Sequence, residues 1–136
     1  MDSIKSNPAK VYFIAMGIFW LIFGMITAFY PELMNLFQTE TGINAVTNYS
    51  NHIWRHDGFD IISISVLLFA LSREIPSRNM LRAAAVVALL VTIAITSSLL
   101  TTSYWNMLFL VPGLSCFAFA VWGFALAAKV QVIKDK

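Results

Sequence analysis

From Val11 to Tyr30 the chain runs for about twenty residues with no charge and with Thr27 as its only polar side chain, which at about 1.5 Å per residue is enough to cross a hydrocarbon core about 30 Å thick. No feature constrains the fold more. A segment of this kind reads as a membrane helix, and Pro31 stops it. It continues too long for a signal-peptide core and lacks a small-residue cleavage pattern, so it is expected to be a retained span. Gly17 and Gly24 are seven residues apart, nearly on one face, and would let a neighbouring helix approach closely. Trp20, mid-span, reads as packing.

Composition agrees with this opening. In 136 residues, 59% of the side chains are hydrophobic and 12% charged, with a mean hydropathy of +0.75, far more apolar than a soluble domain. The length suits one domain, residues 1–136. Further spans are expected over about 53–72, 80–101 and 105–128, giving an all-α integral membrane four-helix bundle. The turn between the third and fourth spans is short and makes them an antiparallel hairpin, in which Pro112-Gly113 is expected to kink the last helix. The single cysteine, Cys116, excludes an intramolecular disulfide and a cysteine metal cluster, and reads as a small core residue.

Residues 31–51 form the one long connection. It opens with PELMNLF, where Leu33, Met34, Leu36 and Phe37 suggest a short amphipathic turn at the interface. Asn48-Tyr49-Ser50 fits the glycosylation pattern, a motif that is common by chance. Basic residues set the orientation. Of the nine, all but Arg55 (Lys5, Lys10, Arg73, Arg78, Arg82, Lys129, Lys134 and Lys136) fall on one side of a four-span arrangement. The positive-inside rule then puts both termini in the cytoplasm and the long loop on the outer side. Tyr30, Tyr49, Trp54, Tyr104 and Trp105 gather toward that outer side, as amphipathic rings do at the headgroup level.

The second span is unusual, because its apolar part, Ile61 to Leu71, is too short and is preceded by His52-Ile-Trp-Arg-His-Asp-Gly-Phe-Asp60. Counted back from Arg73, Asp60 lies roughly 20 Å across and His56 and Asp57 about 24 to 26 Å, within the outer leaflet of a core about 30 Å thick. Ionisable groups at that depth are candidates for function. His52, His56 and Asp60 recur every four positions and share a stripe with Ser63 and Leu67, flanked by Arg55 and Asp57. Imidazoles beside a carboxylate could relay protons or hold a polar head group. They could also form an internal network, Arg55 with Asp57 or Asp60 and His56 with Asp60. Two histidines four apart are a weak metal signal, and with no third strong ligand evident in the other helices no metal site is assigned. The hydroxyl-rich end of the third span, with Thr96, Ser97 and Thr101, and Asn106 beyond it are expected to converge with this cluster. Gly58 would make room for the first helix or a ligand.

The stretch FWLIFGMITAFYPELMNLF, followed by a second span that begins through Arg55 and Gly58, resembles the DoxX-like group of small four-helix membrane proteins over the first half of the chain. That group includes subunits of membrane quinone-linked oxidoreductases and accessory proteins. The resemblance implies fold-defining roles for Pro31, Arg55 and Gly58, while the acidic, histidine-containing HDGFD departs from the pattern.

The expected function is non-catalytic: binding of a lipophilic or quinone-like small molecule, or of a partner membrane subunit, through an outer-side polar pocket of His52, Arg55, His56, Asp57, Asp60, Thr96 and Asn106. The motivation is the lack of a thiol pair, a metal triad or a nucleotide motif. The alternative is a small membrane-embedded isomerase or oxidoreductase using His56 and Asp60 for proton transfer. Expected partners are the bilayer, a lipophilic small molecule, and further copies of the chain or a larger membrane complex, but no nucleic acid. A transporter is disfavoured, because the first, third and fourth spans carry no ionisable residue at mid-span.

Overall fold

Residues 7–46 and 48–134 are described by a computed structural model, with the side chains of 48, 49 and 131–134 excepted. Lys5, Lys136 and the side chains of Lys134 and of Asn48 and Tyr49 in the glycosylation pattern therefore lie outside what is described. Five α-helices follow in order: α1 (Pro8–Phe29), α2 (Glu40–Ala45), α3 (Asn48–Leu71), α4 (Arg78–Thr101) and α5 (Leu110–Lys134). Short 3-10 segments, Pro31–Phe37 and Met107–Phe109, lead into α2 and α5. Among the described residues there is no strand beyond a single bridge between Gln38 and Trp105.

Local sequence explains the helix limits. Pro8 occupies the start of α1 while the Asn7 side chain accepts from the Ala9 N–H, and Tyr30-Pro31 ends the helix. Ser77 caps α4 by accepting from the Met80 N–H. Thr39 does the same for α2 at Gly42. Pro112 falls in the first turn of α5, where an α-helix has no N–H bond to lose, so the expected mid-span break is instead a permitted helix start.

The helices α1, α4 and the segment Met107–Val130 are long and apolar enough to cross a membrane, which marks the chain as a membrane protein. The polar first half of α3 keeps that helix out of this set. The four long helices pack as two antiparallel pairs, α1 with α3 and α4 with α5, which meet more sparingly through α1 and α5. Glycines set the closeness within each pair. A Cβ on Gly24 would come within 3.0 Å of the Gly58 carbonyl oxygen, and one on Gly17 within 2.9 Å of the Phe69 ring, so the two α1 glycines do face one neighbour, α3. In the other pair Gly113 lies against Ile95 and Gly123 against Ala85.

This register puts Lys10, Arg73, Arg78, Arg82 and Lys129 at one end of the molecule and Arg55 at the other. Toward the basic end one core cluster joins Tyr12, Phe13 and Met16 of α1 with Leu81, Ala84 and Ala88 of α4 and Ala120 of α5. Tyr12 stands edge-on to Trp122, ring centroids 5.3 Å apart, a favourable geometry for the ring quadrupoles.

At the opposite end the long connection is folded back onto the α4–α5 turn. The Thr39 N–H donates to Tyr104 O at 2.9 Å, and the Asn106 N–H to Phe37 O at 2.8 Å. The Thr39 hydroxyl donates to Ser103 O at 2.6 Å. Asn106 adds a clasp of its own, its amide nitrogen donating to both Leu36 O and Gln38 O at 2.9 Å while its Oδ1 accepts from the Leu108 N–H. Trp105 stacks on Phe109 at 4.2 Å and leans on Trp54 at 6.4 Å.

Candidate functional site

Gly58 decides where the polar stripe points. It is buried against the backbone of Ala28 in α1, and at about 100° per residue His56 and Asp60 are each roughly 200° away from it around α3. They face outward. His52, Arg55, His56, Asp57 and Asp60 are all exposed, as are Ser63 and Leu67 further along the same stripe. His56 Nδ1 lies 3.6 Å from Asp60 Oδ2, with the two side chains 74% and 69% exposed. The ligand atoms of His56, Asp57 and Asp60 come within 4.8 Å of one another, so this turn of helix could contact a cation, although exposed acidic groups gather in this way without one. Arg55 makes no ion pair with Asp57 or Asp60 among the described residues.

The level of the cluster follows from the same contact. Gly58 lies beside Ala28, one residue before α1 ends, and the Phe59 and Phe29 rings meet edge-on at 5.6 Å. His56 and Asp57 are therefore level with the end of α1, and His52 and Arg55 extend beyond it.

The other expected members of the pocket are elsewhere. Thr96 is exposed on α4, in a shallow groove with Thr92, Ile93, Ser97, Leu100 and Thr101 to which α3 contributes nothing. The Thr96 and Thr101 hydroxyls donate to carbonyls one turn back in their own helix, at Thr92 and Ser97. Asn106 is the clasp of the folded-back connection. The structure thus leaves His52, His56 and Asp60 along one exposed stripe of α3, with Arg55 and Asp57 exposed on its flanks, and brings neither Thr96 nor Asn106 to them.

A partly open space lies instead between the two helix pairs. A half-enclosed cavity of about 230 Å³ is lined by Phe19, Trp20 and Phe23 of α1, Ile61 and Ile64 of α3, Val87, Val91 and Ile95 of α4, and Phe109, Pro112 and Cys116 on the fifth-helix side. All four long helices contribute to it. Two lining residues carry a polar atom in the side chain: the buried Cys116 and Trp20, which is 5% exposed and whose indole Nε1–H is buried without a hydrogen-bond partner. Ile61, on the side of α3 nearest Gly58, and Ile64, one turn beyond Asp60, both reach this space. The sequence alone presents Trp20 and Cys116 as packing.

Chemically, the exposed face of α3 offers charge and exchangeable protons in open surroundings, whereas the cavity, whose accessible lining is wholly apolar, offers shape and dispersion contacts. A space of this size lined by apolar rings suits a neutral lipophilic body. Comparison with protein-family models, with curated proteins and with solved structures found no match.

Proposed function

We propose that this chain is a four-span membrane protein, both termini on the cytoplasmic side, that binds a lipophilic small molecule in the cavity between its two helix pairs without transforming it. The observation that carries the reading is the cavity of about 230 Å³ at the seam of α1, α3, α4 and α5. Protein interiors are close-packed, and a void of this size forfeits dispersion contacts unless something fills it. The orientation is supported by the gathering of Lys10, Arg73, Arg78, Arg82 and Lys129 at one end. The fourth span in this reading is α3, with its polar half at the outer boundary, where His56 and Asp57 stand beside the end of α1 rather than deep in lipid.

The cavity is preferred over the histidine face as the site because exposed groups 3.6 Å apart neither enclose a substrate nor exclude water. Gentle extraction followed by mass spectrometry tests the reading, with Val91→Phe as the control that fills the space. The expected result is a lipophilic molecule retained by the wild type and lost from Val91→Phe. The same small molecules in both preparations would remove the cavity as a site.

A further inference from the structure

We infer that the occupant of the cavity is a hydrocarbon chain of a bilayer lipid, which enters sideways between α3 and α4 while its polar end stays at the membrane boundary. The inference rests on the cavity being a binding site, as proposed above, and names the class of molecule that it holds.

The accessible lining is apolar throughout, and Trp20 and Cys116 belong to it without presenting polar surface. A carbonyl, hydroxyl or charged group placed inside would give up its hydrogen bonds to water and gain none in return. The part of a guest that fills the cavity is therefore hydrocarbon. Its form follows from the arrangement of the lining. Val87, Val91 and Ile95 succeed one another every four residues along α4 and cover roughly 12 Å of helix axis. Phe109, Pro112 and Cys116 run alongside them on the fifth-helix side. Drawn out over such a length, about 230 Å³ is a narrow space parallel to the helices, which suits one extended chain better than a compact ring system.

Depth and access point to the bilayer as the source. Phe23 and Trp20 precede the end of α1 at Phe29 by roughly 9 and 14 Å along the helix axis, so the cavity lies inside the hydrocarbon layer, in the half of the bundle away from the basic residues. A lipid whose ester groups sit at the boundary reaches this depth with its chain alone. Ile64 of α3 and Val87 of α4, 37% and 40% exposed, are the most exposed residues of the lining. These two helices are joined through residues 72–77 yet barely touch along their length, the pairs meeting through α1 and α5. The space therefore opens between α3 and α4, onto the surface that lipid chains cover. A chain that moves in recovers dispersion contacts that the void forfeits and desolvates no polar group. Chains also stand at the opening at the concentration of the bilayer itself, which favours them over a scarcer guest by mass action.

The test uses the full chain, perdeuterated except at the isoleucine δ1 methyls, in nanodiscs of dimyristoylphosphatidylcholine. Ile95 is the reporter, because it lines the cavity and is buried, and Ile93, exposed on α4, is the control that faces lipid in any case. Each is assigned by the signal missing from its valine variant. The expected result is a nuclear Overhauser contact from lipid chain methylenes to both methyls in the wild type. In Val91→Phe the Ile95 contact should be lost and the Ile93 contact kept, and in chain-deuterated lipid both should vanish. An Ile95 contact that survives chain deuteration belongs to a co-purified molecule, and would overturn the chain inference while leaving the cavity as a site. An Ile95 contact unchanged in Val91→Phe would put the chain outside the cavity and overturn the inference as well. An Ile95 methyl with no contact from lipid or any other molecule, beside an Ile93 methyl that has one, would overturn the cavity reading and this inference together. The wild-type comparison between the two lipids stands even where Val91→Phe folds poorly.

Discussion

Gly58 and Ala28 meet backbone to backbone: a Cβ added to Gly58 would sit 2.3 Å from the Ala28 nitrogen and 2.7 Å from its Cα. These are main-chain atoms of a helix and cannot swing aside as a side chain does. Gly58→Ala should therefore cost about 3 kcal/mol, the upper end of the usual range for overpacking. Gly113→Ala, whose new methyl would meet only the Ile95 side chain at 3.0 Å, should cost about 1 kcal/mol or less. Unfolding of both variants in mild detergent measures the difference, and equal losses would mean that the α1/α3 contact is looser than described.

Removing the clasp should loosen one end of the molecule without unfolding it. Asn106→Ala takes away two donated hydrogen bonds, to Leu36 O and Gln38 O, together with the cap on Leu108. A loss of about 1–3 kcal/mol is expected, seen as faster amide exchange across residues 36–43. Asn106→Asp keeps an oxygen for Leu108 but loses the donors. It should show the fast exchange of the connection while protecting the start of α5.

The exposed pair predicts little. His56 and Asp60, 3.6 Å apart and mostly exposed, form the kind of contact whose net worth is about 0–1 kcal/mol. His56→Ala and Asp60→Ala should each change stability by less than about 0.5 kcal/mol at neutral pH, as measured by thermal unfolding of the purified chain. A loss above about 2 kcal/mol from either would show that this face of α3 is covered in the assembled protein.

Filling the cavity should stabilise the ligand-free chain. Val91→Phe places a ring where the structure has a space of about 230 Å³, and new packing contacts should raise stability by about 0.5–2 kcal/mol. A melting temperature that falls in the ligand-free variant would mean that the neighbouring side chains already close the space.

Much of the architecture can be read from the residues, for reasons that are local. Apolar runs bounded by Pro31, by the basic turn through Pro76 and Arg78 and by the polar turn at Ser103 place α1, α4 and α5 within a few residues, because capping and bilayer length act over one element at a time. The connection is less legible. Residues 38–51 read as loop, yet α2 forms over Glu40–Ala45, and α3 begins at Asn48. What organises them is the ladder with Tyr104 and Asn106, more than sixty positions away in sequence. The polar stripe shows the same divide. Spacing groups His52, His56 and Asp60 on one stripe, but periodicity names a face and not what the face meets. The deciding fact was already present in Gly58, two positions from both His56 and Asp60 and hence on the far side of the helix: once that glycine takes the close approach to α1, the stripe has nowhere to point but outward. The cavity was invisible for a different reason. It is a shape left among apolar side chains of all four long helices, and no single segment records it.

The seam between the helix pairs is fastened at both ends, by the covalent turn through residues 72–77 at the basic end and by Asn106 with its carbonyl partners at the other. Two half-shells joined at top and bottom cannot swing apart like a clam. They form a frame of fixed height, so in the binding reading proposed above a guest would be selected by its rigid dimensions and would exchange between the pairs rather than through either rim.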